Sequence, residues 1–155
     1  MNTLQRLIRT ENNLNWFLLR VPLGIVMLAH GLQKAFGWFK GFGWKGSMDY
    51  FTGFVGLPYW LGVVVILIES AGALLLILGL GGRINAALMI IVMAGAFFVD
   101  HLSNGFFMNW GGQARGEGYE FDILFVSMAL VLVINGSGKY SLDRLIMNRG
   151  GKLPG

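Results

Sequence analysis

His30, Gln33 and Lys34 stand three and four residues apart inside a long apolar run, so a helix there would carry them on one face. Hydrocarbon is the usual filling of such a run. An imidazole, an amide and an ammonium group in its place could donate hydrogen bonds, carry a proton or hold an anion. Glu69 lies eleven residues beyond Pro58 in a second apolar run, roughly 16 Å along a helix at ~1.5 Å per residue. A carboxyl at that depth costs about 2.5–3.5 kcal/mol on insertion scales unless it is protonated, paired or hydrated. Lys34 and His30 are its expected partners.

Two further segments bring polar groups to a similar level. His101, which follows Asp100 at the end of a third run, adds a second imidazole, a group that can donate, accept or carry a proton. Glu120 opens a fourth run, where an acid also complements the helix dipole. Glu120 and Ser127 are seven apart and share a face, whereas Asp122 points elsewhere, toward the headgroups. Asp100 reads as interfacial polarity. The candidate proton-handling groups are therefore Glu69, His30 and Glu120, and the candidate ligand-binding groups are His30, Gln33, Lys34, Glu69 and His101.

Several chemistries are disfavoured by the same residues. Neither His-x-x-x-His nor Glu-x-x-His occurs, and Lys34 would repel a cation, so no metal site is expected. The phosphate-loop pattern Gly-x-x-x-x-Gly-Lys is absent. With no cysteine, disulfides, thiol catalysis and thiolate ligation fall away. A redox role would need a bound quinone, flavin or haem. Quinone suits a lipid-embedded site best, because its carbonyls accept hydrogen bonds from His, Lys or a protonated Glu.

The elements that must position these groups are apolar helices. Of the 155 residues 55% are hydrophobic and 13% charged, against roughly 25% charged in soluble domains. Mean hydropathy is +0.61. Four blocks, at about 16–36, 58–80, 83–102 and 119–135, approach the ~20 residues that cross a bilayer core. An all-α integral membrane protein follows, a single domain over 1–155 built as a four-helix transmembrane bundle. Arg20, early in the first block, is expected to snorkel to the interface. Gly62, Gly72 and Ala73 lie near the face of Glu69 and should turn it into a close helix contact. Gly81-Gly82 makes a hairpin of the second and third blocks.

Residues 1–15 form an amphipathic lead-in suited to an anionic membrane surface. The loop 37–57 is rich in Gly and aromatic rings, which usually anchor at headgroup level. Ser47 could cap a short interfacial helix there. The tail alternates Leu142, Leu145 and Ile146 with Arg144 and Arg149. One side holds eight basic residues (Arg6, Arg9, Arg20, Arg83, Lys139, Arg144, Arg149 and Lys152) and the other four (Lys34, Lys40, Lys45 and Arg115). The positive-inside rule puts both termini in the cytoplasm and the polar cluster near the outer leaflet. The net charge of +4 is explained by these flanks, and no nucleic-acid-reading motif is present.

These segments carry a family resemblance. Leu19-Arg-Val-Pro-Leu-Gly-Ile-Val-Met-Leu-Ala-His-Gly-Leu-Gln-Lys34 resembles the first-helix signature of DoxX-type membrane proteins. Glu69-Ser-Ala-Gly followed by Leu-Gly and Arg83 is similar to their second helix. His101 with Gly105-Phe-Phe107, Glu120-Phe121 and the tail Gly138-Lys-Tyr-Ser-Leu-Asp143 resemble the rest. The resemblance implies a four-helix bundle of the bacterial inner membrane, related to a subunit of thiosulfate:quinone oxidoreductase. It implies that His30, Lys34, Glu69, His101 and Glu120 fall on recurring polar positions of the family. It leaves the activity open. A quinone-linked oxidoreductase with a partner subunit or as a homo-oligomer competes with a non-enzymatic scaffold whose polar cluster locks helices together. A transporter of small molecules or lipids comes third, for want of an internal repeat.

Overall fold

A computed structural model describes residues 8–150. They form helices without any strand among the described residues: α1 (Leu14–Phe36), α2 (Gly43–Asp49), α3 (Tyr59–Leu78), α4 (Gly82–Val99), α5 (Glu120–Asn135) and α6 (Leu142–Gly150). Helices α1, α3 and α4 are long and apolar enough to cross a membrane. Helix α5 is apolar but has 16 residues, so its length alone does not decide the matter.

Local chemistry sets the ends. The Asn13 side chain caps α1 by accepting from the backbone N–H of Asn15 at 2.9 Å, and Gly37 closes it in the left-handed region at φ 73°. Pro22 sits early in α1, where its missing N–H removes little. The turn between α3 and α4 is made by Gly79 and Gly81, both at positive φ, which forces the two helices antiparallel. In α3 the helical winding loosens over Ile68–Gly72 into a π-type turn. Such turns frequently mark functional sites, and this one contains Glu69.

Helix α1 packs along α3 and touches α5. Helix α4 packs chiefly on α5 and closes back on α3. The shared core is Leu23, Met27, Leu76, Met89, Met93, Phe125 and Leu132, with Ala73, Ala86 and Ala129 at close contacts. Outward-facing Leu18, Ile25, Ile91 and Leu124 are exposed, as expected where lipid covers the side chains. Gly31 is pressed on the backbone of Glu69 and Ser70, where no Cβ could fit. This contact brings α1 and α3 together at the level of the polar groups.

Two expectations are corrected here. Arg20 does not snorkel: it is fully buried. Its Nε donates to the carbonyl of Ser137 at 2.9 Å, Nη1 to Leu76 at 2.8 Å and to Ile77, and Nη2 to Tyr140 at 3.1 Å. The buried Asp143 carboxylate completes this knot, accepting from the N–H groups of Gly81 (2.8 Å) and Gly82 (3.1 Å) and from Ser137 Oγ (2.6 Å). Four carbonyls solvate the guanidinium inside the protein, so it has no need of the interface. Second, Ser47 lies within α2 and donates to the carbonyl of Lys34 at 3.3 Å instead of capping a helix. The lead-in is irregular over 8–13 and is strapped to the segment after α5 and to the start of α4, with Thr10 Oγ1 accepting from the N–H of Gly138 and the Arg9 carbonyl from Arg83 Nε. Residues 1–7 of the lead-in lie outside the described residues.

Candidate functional site

At the opposite end of the helices, the last turns of α1 face the middle of α3. Lys34 Nζ stands 2.6 Å from Glu69 Oε2, with the carboxyl side chain 7% exposed and the lysine 26%. Helical spacing on α1 and the Gly31 contact together set this distance. The expected pairing of Lys34 with Glu69 is what the fold presents.

A second pair crosses from the end of α4 to the start of α5. His101 Nδ1 lies 2.8 Å from Asp122 Oδ2 and 3.0 Å from Oδ1, and the Asp122 side chain is 4% exposed. The expectation that Asp122 points to the headgroups is therefore corrected. Asp122, Phe125, Ala129 and Leu132 form the buried face of α5, while Ser127 is exposed and bonds back to the carbonyl of Ile123. A spacing of seven fits Glu120 with Ser127 and Asp122 with Ala129 equally well. The bulk of Phe125 and Leu132 was the signal that could have chosen between them.

One cavity of about 240 Å³ is lined on its polar side by His30, Lys34, Glu69 and His101, with Asp122 behind the histidine. Met27, Met93 and Phe121 supply apolar wall, and Met108 and Glu117 come from the loop between α4 and α5. A carboxylate that accepts from Nδ1 of a histidine fixes the tautomer, so Asp122 leaves the lone pair of the neutral His101 ring on Nε2, and His101 is one of the residues lining the cavity. The arrangement offers two buried carboxylates, each next to a basic group, around a small space. It could hold a ligand carrying hydrogen-bond acceptors and exchange protons with it. Among the described residues no three His, Cys, Asp or Glu side chains gather as a metal set.

The other candidates fall nearby. Gln33 packs on the backbone of Gly41 and does not line the cavity. Glu120 also stays outside it: Oε1 accepts from the N–H of Met108 and from Trp110 Nε1, each at 3.0 Å. Its part is to hold the loop that places Met108 on the cavity wall. Asp100 is exposed and bonded within its own turn, through Ser103 and Asn104. Glu117 and Asp122 are the acids that sequence reasoning left out of the site.

Apolar multi-pass helices and this paired polar cluster define a membrane protein, and the chain belongs to the DoxX family, whose profile matches residues 15–102. The chain is similar to CatD of Bacillus subtilis (strain 168), provisionally named as an oxidoreductase, with 33% identity over 129 residues covering 83% of this chain and 84% of the relative. No solved structure matches the chain.

Proposed function

We propose that the chain is a quinone-linked oxidoreductase, or the membrane subunit of one, in the bacterial inner membrane. In this reading the whole chain is a single domain, a four-helix transmembrane bundle in which α5 is the fourth span. Both termini are cytoplasmic and the cavity opens near the outer leaflet. The observation that carries the reading is the convergence of Lys34–Glu69 and His101–Asp122 on one cavity within otherwise apolar helices. The likeness to a relative named as an oxidoreductase supports it in general terms.

The donor set suits a quinone. A cavity of about 240 Å³ is at the small end for ligand sites, room for a ring head with its tail leaving toward lipid. His30 and Lys34 would donate to the ring oxygens of the quinone, Nε2 of His101 would accept from a hydroxyl of the quinol, and Met27, Met93 and Phe121 would bound the faces of the ring. When bound, the quinone supplies two-electron acceptor chemistry. The protein's own contribution is protonic. Asp122 keeps His101 oriented, Glu69 holds a proton or shares one with Lys34, and the methionine wall excludes water. The electrons would come from a small donor through a partner subunit that carries its own redox group.

Organic extraction of the purified protein tests this. Quinone should co-purify, and Glu69→Gln should abolish quinone reduction while the protein still assembles. Protein free of quinone and without any redox response to added quinol analogues would overturn the proposal. A second reading has one observation in its favour: both carboxylates are already paired, which is what a structural lock requires. In that reading the protein is a membrane scaffold or assembly factor, and Glu69→Gln lowers thermal stability without a redox phenotype.

A further inference from the structure

The end of the molecule that holds Arg20 carries a second, larger cavity, of about 560 Å³, between the end of α3 and α6. Its lining combines apolar and basic groups, with Leu78, Leu142 and Leu145 alongside Lys139, Arg144 and Asn148. Leu78 is the last residue of a helix apolar enough to cross a membrane. The cavity therefore sits where hydrocarbon gives way to headgroups. Leu142, Leu145 and Ile146 are exposed along α6, an amphipathic face suited to lying in that boundary.

The charges at this place are unbalanced. Asp143 is the acid nearest to both cations in sequence, but its carboxylate is buried and engaged with Gly81, Gly82 and Ser137. Neither Lys139 nor Arg144 has a carboxylate within ion-pair distance among the described residues, where the pairs formed are Lys34–Glu69 and His101–Asp122. Glu11, beside the lining residue Asn12, is exposed. The cations are also held in place. Lys139 Nζ lies 5.0 Å from the centre of the Tyr140 ring, and the N–H of Lys139 donates to the Asn13 carbonyl. Tyr140 sits at φ 55°, a backbone setting uncommon for a bulky side chain, with its carbonyl accepting from Arg20. The buried knot thus fixes the segment that presents the two cations.

We propose that this cavity is a binding site for an anionic phospholipid. Its phosphate is held by Lys139, Arg144 and Asn148, and an acyl chain lies against Leu78, Leu142 and Leu145. Two cations and three leucines lining one cavity suit a phosphodiester with a hydrocarbon tail, and a phosphate free in solution would use the cations alone.

The test uses the full chain in detergent, with thermal unfolding and native mass spectrometry as readouts. Phosphatidylglycerol should raise Tm and remain bound through desolvation, and phosphatidylcholine should do so markedly less. Lys139→Gln with Arg144→Gln should weaken retention of phosphatidylglycerol about tenfold. The remote pair Lys45→Gln with Arg115→Gln should leave it unchanged. If the double variant fails to fold, Lys139→Gln and Arg144→Gln singly should each weaken retention. The proposal is overturned if both phosphatidyl lipids protect equally, if the Lys139 and Arg144 variants retain lipid like the parent, or if inorganic phosphate protects as well as phosphatidylglycerol.

Discussion

At the level of single residues, the Lys34–Glu69 ion pair and the His101–Asp122 hydrogen bond are the features with most at stake. Removing one partner of a buried pair strands the other, at a cost of about 3 kcal/mol or more. Lys34→Gln is therefore expected to lower stability more than Lys34→Gln combined with Glu69→Gln, as read by denaturation in detergent. Additive losses would mean that the two groups are not coupled. Asp122→Asn keeps the size of the side chain but offers His101 an amide, which can hold the wrong tautomer. Quinone reduction should fall about a hundredfold while the amount of folded protein is nearly unchanged. Loss of fold without a separate loss of rate would make Asp122 purely structural. The polar groups of α1 and α3 were legible in the sequence because a charged residue in a hydrophobic run has few innocent explanations. Asp122 was not legible, because its partner is 21 positions away and helical spacing alone does not say which face of α5 is inward.

Among the elements, the contact between α1 and α3 governs the site. Gly31 leaves no room for a Cβ against the backbone of Glu69, so Gly31→Leu must push the helices apart. Overpacking of this kind costs about 1–3 kcal/mol, and the same displacement should separate Lys34 from Glu69. The expected result is a lower Tm together with loss of bound quinone. The π-type turn at Ile68–Gly72 and the burial of Arg20 were beyond sequence reasoning. The burial of Arg20 depends on groups distant in sequence, the carbonyls of Leu76, Ser137 and Tyr140, and the π-type turn has no residue pattern that marks it. Helix ends were easier to read, because Gly37 and Gly81 stop helices through their own backbone freedom, although Gly79 ends α3 at Leu78, two residues before the expected position 80.

For the whole molecule, the separation of roles between the two ends invites a topological test. The protein has no cysteine, so single cysteines can be introduced at exposed Gly53, Ser103 or Asn148 without background. A membrane-impermeant maleimide added to intact cells should label the first two and spare the third until the membrane is opened. Labelling in the reverse order would invert the bundle and move the cavity to the cytoplasmic side.

Arg20 also gives the molecule a schedule. Two of its carbonyl partners, Leu76 and Ile77, arrive with α3, but Ser137 lies 117 residues downstream and Tyr140 still further. A nascent chain must therefore hold a half-satisfied cation at the head of its first helix until synthesis has passed Asp143. A ribosome that stops short leaves that cation as a marker of an unfinished product, visible to membrane proteases. Chains cut after Asn135 should enter the membrane and then decay several-fold faster than the parent in a pulse-chase experiment, and Arg20→Met should narrow the gap.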